Sequence, residues 1–202
     1  MPWAFYDMVY ACHVGPWNSW DRVPYITDIR TGKPSIIPSY RLIHHNMVLG
    51  TYNSQATIDT DDGSAYYRVY ENFLVFAANG LKSDFGGHDN VWTRNVVAYP
   101  ETCYDFGFDA KGNTSFPGYN DGFANNTCIF RRNYMSTCNW QHGLDRSVSM
   151  HDNKVYSASG SLSICDKSWD EFKKTSRDTG TTLGKWPSDG ELVHMAKQLL
   201  SF

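Results

Sequence analysis

Tyr70-Glu-Asn72-Phe-Leu-Val-Phe76 contains the pattern that decides the fold: an asparagine followed, two residues later, by an apolar side chain. The same pattern recurs in His44-His-Asn46-Met-Val-Leu-Gly50, Thr93-Arg-Asn95-Val-Val-Ala-Tyr99, Ala124-Asn-Asn126-Thr-Cys-Ile-Phe130 and His151-Asp-Asn153-Lys-Val-Tyr-Ser157. Successive asparagines are 26, 23, 31 and 27 residues apart. A near-constant spacing of this length is typical of a repeat protein.

The residue two positions after each asparagine is expected to face a core. Alternate side chains of a strand share one face, so a constant offset marks one buried column. The period is shorter than the roughly 30 residues that a β-α-β unit needs, which favours short stacked strands in a solenoid. The sequence predicts parallel strands at about 46–50, 72–76, 95–99, 126–130 and 153–156, with a buried column of Val48, Leu74, Val97, Cys128 and Val155.

The asparagines themselves are predicted to form a second column. Stacked amides can hydrogen-bond from one coil to the next. Asparagine also tolerates the left-handed backbone of a tight bend. We therefore expect Asn46, Asn72, Asn95, Asn126 and Asn153 to lie in one row at the bends.

A second landmark gives the same coil length. Ile58-Asp-Thr-Asp-Asp-Gly63 aligns with Leu81-Lys-Ser-Asp-Phe-Gly86 at an offset of 23 residues, the offset that separates Asn72 from Asn95. The sequence therefore predicts an all-β fold: a right-handed parallel β-helix of about five coils with a C-terminal helical cap. Its single domain, residues 1–202, is divided into an ordered excursion at 13–40, coils at 41–157 and the cap at 166–202.

Composition excludes two classes of partner. A net charge of −3 offers no basic stripe for nucleic acid, and no apolar run reaches the eighteen residues of a membrane span. Five cysteines without a CxxC pair argue against a zinc ribbon, and Cys103 with Cys138 is one candidate disulfide. No signal peptide is visible in the aromatic stretch Met1–Tyr10.

The 23-residue alignment also predicts an acidic site. It stacks Asp59 on Lys82 and Asp61 on Asp84, with neighbouring coils about 4.8 Å apart. Two stacked carboxyls repel, so one pKa should rise and the pair can share a proton. The predicted catalytic residues are Asp61 and Asp84, on an open groove, and the predicted substrate-binding residues are Asp59, Asp62, Lys82 and His88.

One coil spacing is close to the carboxyl separation of about 5–5.5 Å in retaining glycosidases. A structural explanation stays open, because Asp-Asp-Gly-Ser is also a turn sequence and Asp59 with Lys82 is an ordinary ion pair. No cofactor is expected. Calcium is the alternative, although no calcium-loop spacing is present.

Two adjacent histidines are candidate metal ligands. His44 and His45 are adjacent, and adjacent residues of a strand face opposite sides, so we expect surface or turn histidines and not a joint two-histidine clamp. The sequence predicts no metal site.

Three stretches resemble secreted right-handed parallel β-helix repeat proteins of the polysaccharide-active type. They are Ile43-His-His-Asn-Met-Val-Leu49, Ile58-Asp-Thr-Asp-Asp-Gly-Ser-Ala-Tyr-Tyr67 and Gly80-Leu-Lys-Ser-Asp-Phe-Gly-Gly-His-Asp-Asn90. The tail from Arg177 to the final helix is similar too, so the resemblance covers most of residues 15–200 and corresponds to the C-terminal part of longer proteins of this group.

The resemblance implies a carbohydrate-active protein, secreted or at the cell surface, whose partner is a polysaccharide or oligosaccharide. A glycoside hydrolase is favoured over a lyase, because the predicted patch is acidic and contains only Lys82 as a cation for a uronic acid. The alternative is a non-catalytic β-helix that binds glycans, adheres or joins a larger assembly.

Overall fold

The protein is a parallel β-helix in which each coil contributes one strand to each of three sheets. The computed structural model describes residues 17–20, 40–51, 56–61, 64–83, 89–106, 121–135, 148–164, 167–175 and 178–200. Strand pairs within these three sheets are parallel, which confirms the predicted architecture. Pairing follows chain order, because each strand meets the strand one coil later.

The first sheet contains β1 (Trp17–Trp20), β4 (Ile58–Asp61), β7 (Asn79–Ser83), β10 (Thr102–Phe106) and β13 (Asn133–Met135). The second sheet contains β2 (Arg41–His44), β5 (Tyr67–Tyr70), β8 (Val91–Thr93), β11 (Asp121–Ala124), β14 (Val148–His151) and β18 (Asp178–Thr179). The third sheet contains β3 (Met47–Leu49), β6 (Phe73–Val75), β9 (Val96–Ala98), β12 (Thr127–Ile129), β15 (Lys154–Ser157) and β19 (Thr182–Lys185). Thus β1, within the predicted excursion, already pairs with β4.

The predicted core column is confirmed. Val48, Leu74, Val97, Cys128 and Val155 pair in register along the third sheet. Each is at most 1% exposed. Aromatic residues fill the rest of the interior, where the Tyr104 ring stacks on Phe123 and contacts Trp92. One continuous core therefore runs along the coil axis.

The asparagines form the predicted row between the second and third sheets. Each side-chain amide donates to the side-chain oxygen of the next asparagine in the chain. The Nδ2–Oδ1 distances are 3.0 Å from Asn46 to Asn72, 2.9 Å from Asn72 to Asn95, 3.0 Å from Asn95 to Asn126 and 3.4 Å from Asn126 to Asn153. The same oxygens also accept the backbone N–H of the preceding asparagine. This asparagine ladder satisfies polar groups that water cannot reach.

The left-handed backbone was predicted for the asparagines, but the structure places it elsewhere in the bend. The left-handed conformation belongs to the residue before each asparagine: His45, Glu71, Arg94, Asn125 and Asp152 have φ between 53° and 57°. Gly180 holds the next position of this column at φ 74°. Because the bend places a strand on each side of the ladder, the asparagine is a corner residue and not the first residue of a strand.

The disulfide differs from the predicted pairing. Cys103, in the first sheet, is bonded to Cys128, in the third sheet, with their Cα atoms 6.0 Å apart. The bond crosses the core, so the inward position of Cys128 is as predicted, but the residue is not a free thiol. Cys138 lies outside the described residues.

The C-terminal region closes the coils in two ways. The short hairpin of β16 (Ser163–Ile164) and β17 (Lys167–Ser168) leads into α1 (Trp169–Lys173), and Ile164 and Phe172 extend the core. Helix α2 (Asp189–Leu200) instead lies along the outer side of the third sheet. The apolar outer face that it meets consists of Phe73, Val75, Val96, Ala98 and Ile129. The C-terminal region thus covers one end of the core and the outer side of the third sheet.

The ladder ends on a buried carboxylate. Asn153 donates its side-chain amide to Asp178 at 3.4 Å and its backbone N–H to Thr181 Oγ1 at 2.9 Å. Tyr134 donates its hydroxyl to Asp178 at 2.9 Å, and Thr181 donates to the other carboxylate oxygen. Burial raises the pKa of the Asp178 carboxyl, whereas these hydrogen bonds and nearby His151 lower it, with burial prevailing.

The raised pKa of the Asp178 carboxyl predicts how the stability of the fold changes with pH. Because its pKa is higher in the folded than in the unfolded chain, its contribution is complete below the unfolded value of about 3.9 and is lost as the pH rises through the folded value. We expect the Asp178→Asn variant, which cannot ionise, to gain stability relative to the wild type between pH 3.5 and 7. Urea unfolding of both proteins at both pH values tests this. A difference in unfolding free energy between variant and wild type that is the same at pH 3.5 and pH 7 would contradict it.

Candidate functional site

The predicted acidic site lies on the first sheet, and its register is as expected. Ile58 pairs with Leu81, Asp59 with Lys82 and Thr60 with Ser83. The 23-residue offset is therefore the true coil repeat here. It places Asp59 and Lys82 on the face of the sheet opposite to Ile58 and Leu81, which belong to the core.

Asp59 and Lys82 form an ion pair inside the protein and not on an open face. Lys82 Nζ lies 3.4 Å from Asp59 Oδ1, and the two residues are 1% and 2% exposed. Removing two charges from water is unfavourable unless they interact closely, so each requires the other. Neither side chain is accessible to a polysaccharide in this arrangement.

Of the other predicted site residues, the structure describes only the backbone of Asp61. Asp61 is the last residue of β4, where its backbone pairs with Trp20 of β1. The Asp61 side chain, and all of Asp62, Asp84 and His88, lie outside the described residues. The predicted Asp61–Asp84 pair therefore stays a prediction.

One carboxylate of this column was missed. Asp105 pairs in register with Lys82 on the side opposite to Asp59, so the column alternates Asp59, Lys82, Asp105. Asn79 donates its side-chain amide to Asp105 at 3.1 Å. A signal was present in the sequence, because Asp105 follows Lys82 by the same 23 residues that separate Lys82 from Asp59.

A second polar cluster lies on the outer surface where the second sheet turns into the third. We call it the histidine cluster: His44, His45, Glu71 and Arg94. The Nδ1 atoms of His44 and His45 are 2.8 Å apart, His45 Nε2 lies 3.0 Å from Glu71 Oε2, and Arg94 Nε donates to Glu71 Oε1 at 2.8 Å. Four polar side chains from three successive coils are thus joined by consecutive polar contacts.

The histidine cluster corrects the prediction that adjacent histidines must diverge. His44 is the last residue of β2, whereas His45 has a left-handed φ of 53°. Strand alternation does not apply at such a bend, so both rings reach the same side. Both residues are exposed, as predicted for surface or turn histidines.

Aromatic and cationic groups surround the histidine cluster. The Tyr70 ring stacks on His44 with centroids 4.7 Å apart and an interplanar angle of 7°. Arg68 lies 4.0 Å above the Tyr40 ring, and Arg94 lies 5.9 Å from the Tyr70 ring. Leu42, beside these groups on β2, is 56% exposed. This face therefore offers stacking surfaces and cations to solvent.

A separate aromatic strip follows the corner after the third sheet. It consists of Phe76, Tyr99 and Trp186, with ring centroids 5.4 Å apart for the first pair and 5.2 Å for the second. Phe76 is 40% and Trp186 is 37% exposed, although Trp186 Nε1 donates to the Phe130 carbonyl at 3.1 Å. The strip is a partly exposed row of rings along the coil axis, and the hydrogen bond to Phe130 fixes the Trp186 ring.

Neither a metal site of three or more ligands nor a membrane-spanning helix is found in the described part of the chain. No group of three or more His, Cys, Asp or Glu side chains is arranged there to hold a metal ion. No helix of that part is long and apolar enough to cross a membrane.

Comparison of the chain with models of protein families, with curated proteins and with solved structures finds no significant match.

Proposed function

We propose that the protein is a glycoside hydrolase that acts on a polysaccharide or oligosaccharide, with Asp61 and Asp84 as its two carboxyls. The observation that supports this is the register of β4 and β7, in which Asp59 pairs with Lys82 and Thr60 with Ser83. The proposal extends this register by one residue, which aligns Asp61 with Asp84. Their separation would then be near one coil spacing, about 4.8 Å.

That separation suits a retaining mechanism. One carboxylic acid protonates the leaving glycosidic oxygen while the other attacks the anomeric carbon and forms a covalent glycosyl intermediate. Water then hydrolyses the intermediate, with the first residue acting as base. In the proposal, the column of Asp59, Lys82 and Asp105, of which Asp59 and Lys82 are buried, holds β4, β7 and β10 in register and does not bind sugar.

The proposal also places the protein outside the cell or on its surface. Its support is the Cys103–Cys128 bond, since structural disulfides persist in oxidising compartments and are rare in the cytosol.

Substitution of each carboxyl tests the hydrolase. A screen of polysaccharides and aryl glycosides identifies a substrate, and Asp61→Asn or Asp84→Asn is then expected to lower kcat by about 10²–10⁴-fold. Asp152→Asn, an exposed carboxyl on another corner, is the control and should retain full activity. Unchanged turnover in both site variants would reject the catalytic pair.

The aromatic strip favours a second candidate, a non-catalytic glycan-binding module. Sugar rings present apolar C–H faces, and Phe76, Tyr99 and Trp186 offer a row of partly exposed rings.

Affinity electrophoresis in gels that contain soluble glycans tests the module. Trp186→Ala is expected to weaken retardation by about tenfold, because a stacked ring contributes on the order of 1 kcal/mol beyond its buried area. Val193→Ala, an exposed apolar residue of α2, is the control. Retardation that does not change in the Trp186 variant would exclude the strip.

A further inference from the structure

The two Nδ1 atoms of the histidine cluster are spaced as a pair of metal ligands would be. They are 2.8 Å apart. Two imidazole nitrogens bound about 2.0–2.1 Å from one metal, at an angle of about 90°, are about 2.8–3.0 Å apart. In the metal-free protein a proton occupies the space between them as a hydrogen bond.

Glu71 fixes which nitrogen of His45 is available. Its Oε2 accepts from His45 Nε2 at 3.0 Å, so Nε2 carries the proton and the Nδ1 lone pair points to His44. Ligating histidines usually donate their other N–H to a carboxylate in this way. Arg94 in turn holds Glu71 through a 2.8 Å hydrogen bond to Oε1. The supporting shell of a ligand is thus present before any metal binds.

The second ring is also held in place. Parallel stacking on Tyr70, with an interplanar angle of 7°, restricts the tilt of the His44 imidazole. The left-handed backbone of His45 keeps the two rings on one side of the bend. Both Nδ1 atoms therefore converge without rearrangement of the coil.

From this geometry we infer a surface site for a transition-metal ion, with His44 Nδ1 and His45 Nδ1 as cis ligands and Glu71 as the positioning residue. The ion that fits is Cu²⁺, because a 90° pair of nitrogens suits tetragonal geometry and divalent affinity peaks at copper. Water fills the remaining coordination positions. Binding displaces the one proton that the two Nδ1 atoms share. The His44 ring then carries this proton on Nε2, so both imidazoles stay neutral while their Nδ1 lone pairs bind the metal, and no redox step is involved. The inference does not depend on the proposed hydrolase.

A matched pair on the same corner provides the control. His151 Nδ1 lies 2.8 Å from Asp152 Oδ2, so this pair also joins a histidine to a carboxylate at the second and third sheets. It contributes one imidazole, and the carboxylate occupies Nδ1. A site that needs two converging nitrogens should not form there.

The experiment titrates the full chain with Cu²⁺ against glycine as a competing chelator, followed by calorimetry and electron paramagnetic resonance. The wild type should bind one ion with a two-imidazole spectrum. His44→Ala and His45→Asn should each weaken binding at least about tenfold, and Glu71→Gln about 10–100-fold with the stoichiometry kept. Asparagine is chosen at position 45 because it accepts the left-handed backbone.

The control variant and the double variant decide the outcome. His151→Ala should bind Cu²⁺ as the wild type does, and all variants should keep the metal-free thermal midpoint within a few degrees. Undiminished one-ion binding in the His44→Ala/His45→Asn double variant would overturn the site, as would a wild-type spectrum with a single imidazole.

Discussion

Asn95→Ala is expected to lower the free energy of unfolding by about 3–6 kcal/mol. Asn95 Oδ1 accepts two hydrogen bonds from Asn72, and its Nδ2 donates to the Val69 carbonyl and to Asn126 Oδ1. Alanine removes these bonds at a site that is 0% exposed. The Asn72 N–H is then buried without its acceptor, and each such group costs about 1–3 kcal/mol.

Urea unfolding followed by circular dichroism measures this loss. Asn125→Gly is the control, because Asn125 is adjacent to the ladder but exposed, and glycine accepts its φ of 57°. The control should lose less than about 1 kcal/mol. If Asn95→Ala were as mild as the control, the ladder would be a consequence of the coil and not one of its supports.

Removal of the disulfide by the Cys103→Ala/Cys128→Ala double substitution is expected to lower stability by about 3–4 kcal/mol. The bond closes a loop with a sequence separation of 25 residues and so restricts the unfolded chain. It also ties the first sheet to the third across the core. The comparison is made by urea unfolding of both proteins without reductant.

Reductant and thiol counting check the same bond independently. Dithiothreitol should destabilise the wild type and leave the double variant unchanged. Of the five cysteines, at most three should react with a thiol reagent in the denatured, unreduced wild type. Five reactive thiols would show that the bond is not formed in the isolated protein.

The parts of the fold that repeat could be predicted from the sequence. Each coil contacts only its neighbours, so the same contacts recur at fixed distances along the sequence. The spacing from Asn72 to Leu74 and the spacing from Asp59 to Lys82 could therefore be read directly from the sequence. Each of the strands β2, β5, β8, β11 and β14 in the second sheet ends two residues before a ladder asparagine. These strands were missed because the corner residue between strand and asparagine differs from coil to coil, from His45 to Asp152. Only the backbone conformation is constant at that position.

Features that depend on the surroundings of a coil could not be predicted. The register of Asp59 with Lys82 followed from spacing, but their burial depends on what covers the outer face of the first sheet. The placement of α2 along the third sheet follows from the apolar residues Phe73 and Val75, whose outward direction is clear only once Leu74 is known to be inward. The convergence of His44 and His45 required a left-handed bend that alternation does not anticipate.

The asparagine ladder has a direction and therefore an end. Within the ladder, each bond between two asparagines runs from the amide group of one coil to the side-chain oxygen of the following coil, so the amide dipoles add as they do along a helix. The positive end of this row meets the Asp178 carboxylate, and Thr181 stands where a sixth asparagine would continue it. The position at which the ladder ends is thus set by the residues of one column. A lineage could lengthen or shorten the protein by whole coils inserted before Thr181, with the same terminator kept.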